Sequence, residues 1–148
     1  MNRLLLWVDD DWDEIAVVMR AFKRAKIPID IRIASDGLEA LQALHLGTGD
    51  SPDGALRPQV IFIDLHMPRI DGFDLLRALR ELPETKDIPI VVVSSSNSPE
   101  DIRRSYELGA NSYLVKEHNA LEPGAAIADA ARYWTQLNRV PITDQERH

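Results

Sequence analysis

The sequence contains no cysteine, so it forms no disulfide and offers no thiolate as metal ligand or nucleophile. No apolar run approaches the roughly 20 residues that a membrane-spanning helix needs. The opening run Leu4-Leu5-Leu6-Trp7-Val8 stops at Asp9-Asp10-Asp11. It is too short for a signal peptide and no small-residue cleavage site follows it. Basic charge is also scarce: 17 Lys and Arg face 24 Asp and Glu, a net charge of −7. Nucleic-acid binders usually carry a basic face, and none is evident. Lys23, Arg24 and Lys26 do cluster, but at the end of an expected helix, where cations suit the dipole. These absences point to a cytoplasmic protein that engages neither nucleic acid nor membrane. Within its 148 residues, 45% hydrophobic, there is room for one domain with a real core.

The apolar pattern alternates between two kinds of segment. Leu4–Val8, Val60–Ile63 and Ile90–Val93 are continuous apolar runs, the signature of strands buried on both faces. Ile29–Ala34 alternates, and Ser112–Val115 is a short fifth strand ending at Lys116. Between them lie helical spacings. Ile15, Val18, Met19 and Phe22 follow Asp11, a candidate cap with Glu14 three residues on, and Pro28 closes the helix. Leu38, Leu41 and Leu44 follow Asp36-Gly37, and Leu75, Leu76, Leu79 and Leu82 follow Asp71-Gly72. Ser98-Pro99-Glu100-Asp101 has a cap, a proline at the first position and acids in the first turn, and Gly109 ends that helix. Ile127, Ala130, Ala131, Trp134 and Leu137 mark the last helix. Gly47–Pro58, with three Gly, two Pro and two Asp, reads as a mobile loop.

Strand–helix alternation with apolar strands implies an α/β fold, a parallel sheet covered on both faces. Such sheets bind ligands at the carboxyl ends of their strands, near a topological switch point. The residues at those ends are Asp9, Asp10, Asp64, Ser94 and Lys116. Three carboxylates brought together are costly unless a cation joins them. An all-oxygen ligand set suits Mg²⁺ rather than zinc. A carboxylate nucleophile attacking a phosphoryl group makes an aspartyl phosphate, whose oxygens a metal, an ammonium and a hydroxyl could serve. Singly, each feature has an ordinary explanation: an aspartate as helix cap, a serine run as loop, a strand-end lysine as solvated charge. Asp64 is sharper, because Leu65-His66-Met67-Pro68 follows it and it caps no immediate helix.

Four motifs together carry a resemblance: Val8-Asp9-Asp10-Asp11; Asp64-Leu65-His66-Met67-Pro68-Arg69-Ile70-Asp71-Gly72; Val93-Ser94; and Gly109-Ala110-Asn111-Ser112-Tyr113-Leu114-Val115-Lys116. The pattern resembles the receiver domain of two-component response regulators over roughly residues 4 to 137. The resemblance implies a flavodoxin-like, doubly wound five-stranded sheet of order 2-1-3-4-5 with five helices. It implies a receiver at residues 1–138 and a tail at 139–148. It implies that a histidine kinase phosphorylates Asp64 in a Mg²⁺-dependent reaction, the domain catalysing only its own phosphorylation and dephosphorylation. By the same resemblance Asp10, Asp64 and the His66 backbone carbonyl bind Mg²⁺ directly, and Asp9 acts through water. Ser94 is the switch hydroxyl, Tyr113 the switch aromatic and Lys116 the invariant lysine. Within the family the sequence is similar to the stand-alone regulators of bacterial and cyanobacterial phytochrome kinases, through the loop Gly47–Pro58, Glu100-Asp101-Ile102, and Tyr133-Trp134 with Asn138.

Two positions depart from the pattern. Glu117 stands where the family usually has proline after a cis peptide; a cis bond before a non-proline residue costs ~3 kcal/mol, so a trans Lys116-Glu117 bond would shift Lys116. Trp12 stands where this subgroup often has proline, beside the acidic pocket. Rival readings are weaker. A dehalogenase-type phosphatase needs an Asp two residues after the nucleophile, where this chain has His66. A flavodoxin would place a phosphate loop where Asp9-Asp10-Asp11 stands. The serious rival from a different class is a degenerate receiver acting only as a protein-binding module; such a domain usually lacks an acceptor or metal carboxylate, and this sequence keeps all of them. The sequence ends soon after the receiver, so output is expected to pass through a partner. A homodimer is expected through the fourth helix, fifth strand and fifth helix, carrying Tyr106, Tyr113, Tyr133 and Trp134. The alternative for Trp134 is packing onto the sheet.

Overall fold

A computed structural model describes residues 3–44, 56–67, 69–116 and 121–141. Most of the loop Gly47–Pro58, and the Lys116-Glu117 bond, lie outside these residues. Five parallel strands form one sheet in the order β2-β1-β3-β4-β5: β1 Arg3–Val8, β2 Ile29–Ala34, β3 Val60–Ile63, β4 Ile90–Ser94 and β5 Ser112–Val115. The helices are α1 Trp12–Ala25, α2 Gly37–Ala43, α3 Gly72–Glu81, α4 Pro99–Glu107 and α5 Ala125–Arg132. The alternation required a parallel sheet covered on both faces, and the flavodoxin-like strand order is the one the family resemblance implied.

The continuous apolar strands are buried on both faces, as the pattern requires. Ile15, Val18, Ala21 and Phe22 of α1, with Ile127, Ala128 and Ala131 of α5, cover one face with Leu5, Trp7, Phe62, Val91 and Val93. Leu75, Leu76 and Leu79 of α3, with Ala40 of α2, cover the other with Leu6, Val8, Ile61, Ile63 and Val92. Fully burying such a side chain contributes about 1.5–3 kcal/mol.

Capping explains where several helices start. Asp11 accepts the backbone N–H groups of Asp13 and Glu14, Asp36 that of Glu39, and Asp71 that of Asp74. α1 stops at Lys26, whose left-handed backbone (φ 54°) turns the chain before Pro28. α4 departs from expectation. Ser98 makes no side-chain cap; Ser96 accepts the Ser98 N–H and donates its own hydroxyl to Asp101 at 2.7 Å.

After α5 the chain widens into a π-helical turn, Tyr133–Leu137. The expected stripe breaks there: Thr135 is buried and donates to Ala131 C=O at 2.6 Å, while Leu137 is exposed. A hydroxyl that bonds back onto the helix offers a local alternative to the regular ladder.

Candidate functional site

The sheet register assembles the site. β1 and β3 pair Trp7 with Phe62 and Val8 with Ile63, so the next residues along, Asp9 and Asp64, leave the strand ends side by side. Side chains alternate along a strand, so Trp7 and Asp9 share a face, as do Phe62 and Asp64. Leu114 packs on that same face, and Lys116, two residues on, follows it. Tyr113 packs on the opposite face. Gly72 lets α3 approach the end of β3: a Cβ there would lie 2.3 Å from the Asp64 carbonyl oxygen.

Asp9, Asp10 and Asp64 each present a carboxylate oxygen within 4.8 Å of the others. Asp9 is fully buried, Asp64 is buried and Asp10 is exposed. Lys116 places its Nζ 3.1 Å from Asp9 Oδ2 and 3.9 Å from Asp64 Oδ2, with its side chain almost wholly buried. Asp9 also accepts the Asp11 N–H on Oδ1 at 3.0 Å and the Trp7 indole N–H on Oδ2 at 3.2 Å.

Electrostatics separate the residues. Burial pushes the Asp64 carboxyl up to about 6; Lys116 and the His66 N–H pull it down, and Asp9 and Asp10 push it up. Burial works against the charge of Lys116, but Asp9 and Asp64 outweigh it and hold the ammonium above its ordinary value. Three carboxylates around one ammonium leave the pocket with excess negative charge. All the donors are hard oxygens, the set that holds a divalent cation of the Mg²⁺, Mn²⁺ or Ca²⁺ kind.

Ser94 is fully buried at the end of β4, where its Oγ accepts the Ser96 N–H at 3.1 Å. Tyr113 is half-buried, and its hydroxyl donates to the Ser96 carbonyl at 2.8 Å. Ser96 thus joins the two expected switch residues, a link visible in the sequence only as a serine run. His66 lies just beyond, with Nε2 4.0 Å from Asp101 Oδ2. The loop after β3 is further pinned by Arg69, which adopts a left-handed backbone (φ 65°) and donates to Asp36. The Glu39 N–H and then Arg69 hold the Asp36 carboxyl below its ordinary range.

The doubly wound sheet thus brings three aspartates, a buried lysine side chain and a buried hydroxyl to its carboxyl edge. The model of the response regulator receiver domain matches residues 5–127, and the chain belongs to that family. It is 32% identical over 138 residues to the probable methanogenesis regulatory protein FilR2 of Methanothrix harundinacea, covering 93% of this chain and 87% of that one. The structure of the phosphorylated cyanobacterial phytochrome response regulator RcpA superposes with a TM-score of 0.84 at 27% identity, covering 96% of this chain and 100% of that one. The Mn²⁺-bound form of the response regulator Rcp1, a Synechocystis protein, superposes at 0.80 with 30% identity, covering 95% and 99%.

Proposed function

We propose that Asp64 accepts a phosphoryl group from a phosphohistidine of a sensor kinase. A carboxylate oxygen of Asp64 attacks phosphorus, the O–P bond forms and the P–N bond breaks. The electron pair returns to the imidazole ring, which takes up a proton. One observation carries this reading: a buried carboxylate at a strand end has a buried ammonium 3.9 Å away and two further carboxylates beside it.

Mg²⁺ fits the oxygen donors: Asp10, Asp64 and the His66 carbonyl would hold it directly, and Asp9 would act through water. When bound, it neutralises charge on the phosphoryl oxygens. Lys116 pairs with one of those oxygens, and the Ser94 hydroxyl turns from the Ser96 N–H to donate to another. Tyr113 then follows the vacated space, a shift between two pre-existing states. The domain catalyses no reaction other than its own phosphorylation and dephosphorylation. The receiver occupies residues 1–138 and the tail 139–148.

The cognate kinase in this reading is a phytochrome-type histidine kinase, supported by the similarity to RcpA and Rcp1. The switch face, α4, β5 and α5, makes a homodimer. No helix among the described residues is long and apolar enough to cross a membrane, and the net charge of −7 disfavours nucleic acid; the protein is read as cytoplasmic. The test is intact-mass measurement after incubation with acetyl phosphate. The parent gains one phosphoryl group only with Mg²⁺ and Asp64→Asn gains none. Undiminished labelling of Asp64→Asn overturns the assignment.

A further inference from the structure

The Asp9 carboxylate is fully buried and has three donors among the described residues. The Asp11 N–H serves Oδ1, while the Trp7 indole and the Lys116 ammonium both converge on Oδ2. Those last two differ in what they can do. Lys116 sits on a flexible stem between Asp9 and Asp64. Trp7 is 3% exposed and wedged between two rings, Phe22 at 6.3 Å and Phe62 at 5.7 Å between centroids. The indole N–H is a donor only, and its position is fixed by that packing.

We propose that Trp7 is a positioning residue of this site: its indole N–H keeps the Asp9 carboxylate satisfied and oriented while Lys116 turns from Asp9 to the phosphoryl group on Asp64. The inference rests on the phosphoacceptor reading above. A phosphoryl group adds about −1.5 to −2 charge beside the ammonium. Lys116 then redistributes toward it and loosens from Asp9. A buried carboxylate stripped of its donors carries a large desolvation penalty. Trp7 cannot follow the phosphate, so it remains on Oδ2 and removes most of that penalty. Without the indole N–H, Lys116 is the sole donor to Oδ2 and is held on Asp9, opposing phosphoryl binding.

Trp7→Phe tests this, because it keeps an aromatic ring against Phe22 and Phe62 while deleting the donor. The probe is beryllofluoride, formed from beryllium chloride and fluoride in the presence of MgCl₂. Trp7→Phe is expected to weaken beryllofluoride binding on the order of tenfold, the scale of one hydrogen bond to a charged group, and Mg²⁺ affinity alone by clearly less, since Lys116 still serves Asp9 Oδ2 before a phosphoryl analogue draws it away. A merely structural role would lower both together. A second measurement needs no variant: the indole N–H resonance of Trp7 in the parent should move downfield when beryllofluoride is added. Equal beryllofluoride affinity in Trp7→Phe and parent, or an indole resonance that does not move, overturns the proposal while leaving the phosphoacceptor reading intact. A parent that takes up no phosphoryl group from acetyl phosphate with Mg²⁺ overturns both.

Discussion

The Lys116 ammonium lies 3.9 Å from the Asp64 carboxylate, within ion-pair range but beyond hydrogen-bond reach. The nearer partner of Lys116 is Asp9 at 3.1 Å. Asp64 therefore has an attraction too weak to offset its burial, which is why its carboxyl is raised to about 6 rather than depressed.

That imbalance sets a pH dependence. The Asp64 carboxyl titrates near the ordinary aspartate value of 3.8 in the unfolded chain and about 6 in the folded one. Between those values the folded state binds more protons, so this group's contribution to stability declines as pH rises through that window. The penalty is absent below the lower value and complete above the upper. Asp64→Asn should raise the denaturation midpoint of the metal-free protein at about pH 7.5, and the gain should vanish near about pH 3.5. Chemical denaturation at the two pH values checks it. A gain that is independent of pH would mean the stabilisation is not electrostatic.

The excess negative charge also predicts a response to metal. Mg²⁺ should raise the melting temperature of the parent, since a ligand of the folded state stabilises it by mass action. Asp10→Asn should lose most of that rise and melt higher than the parent without metal, because it removes one of three crowded carboxylates. Trp12 begins α1 two residues after Asp10 and is 62% exposed. Its fluorescence should change on Mg²⁺ titration in the parent and not in Asp10→Asn. An equal Mg²⁺-induced rise in both proteins would argue against Asp10 as a ligand.

The strand ends explain how much of this was legible beforehand. Asp9, Asp10, Asp64, Ser94 and Lys116 each follow an apolar run, and parallel register alone brings them to one edge. The role of Trp7 was hidden within its apolar run, although period-two alternation already put it on the face of Asp9. The link through Ser96 depends on backbone groups that no motif encodes. The turn at Tyr133–Leu137 was not legible either: one widened turn moves burial from the expected stripe to Thr135, and side-chain spacing presumes a regular helix.

The switch gives a fourth measurement. Ser94 and Tyr113 both bond to Ser96, one through its N–H and one through its carbonyl. Ser94→Ala should accept phosphoryl groups from acetyl phosphate yet transmit poorly to a downstream partner. Tyr113→Phe should lose a hydrogen bond worth about 1 kcal/mol and decouple the β4–α4 turn from β5. Phosphorylation-dependent changes in amide exchange across residues 94–101 would report it. The coupling fails if both variants show the parent's exchange response.

The last expectation concerns self-association. On α4, Tyr106 is 48% exposed, and after α5 Tyr133 is 47% and Leu137 67% exposed. Trp134 is half-buried against the α1–α5 core, so it serves the fold. Its ring also meets Tyr133 edge-on at 5.0 Å with an interplanar angle of 89°, which braces Tyr133 in an exposed position. A rigid exposed aromatic loses little entropy on docking and is enriched at interface centres. A two-fold assembly uses one self-complementary patch twice, and Tyr106, Tyr133 and Leu137 supply apolar surface on the face proposed to change on phosphorylation. The parent should therefore form a dimer whose population rises with beryllofluoride. Tyr133→Asp should be monomeric, since it puts a charge into each half of the contact while leaving the core side of Trp134 in place. Light scattering over a concentration series reads the outcome. A parent that remains monomeric at high micromolar concentration, with and without beryllofluoride, excludes this dimer.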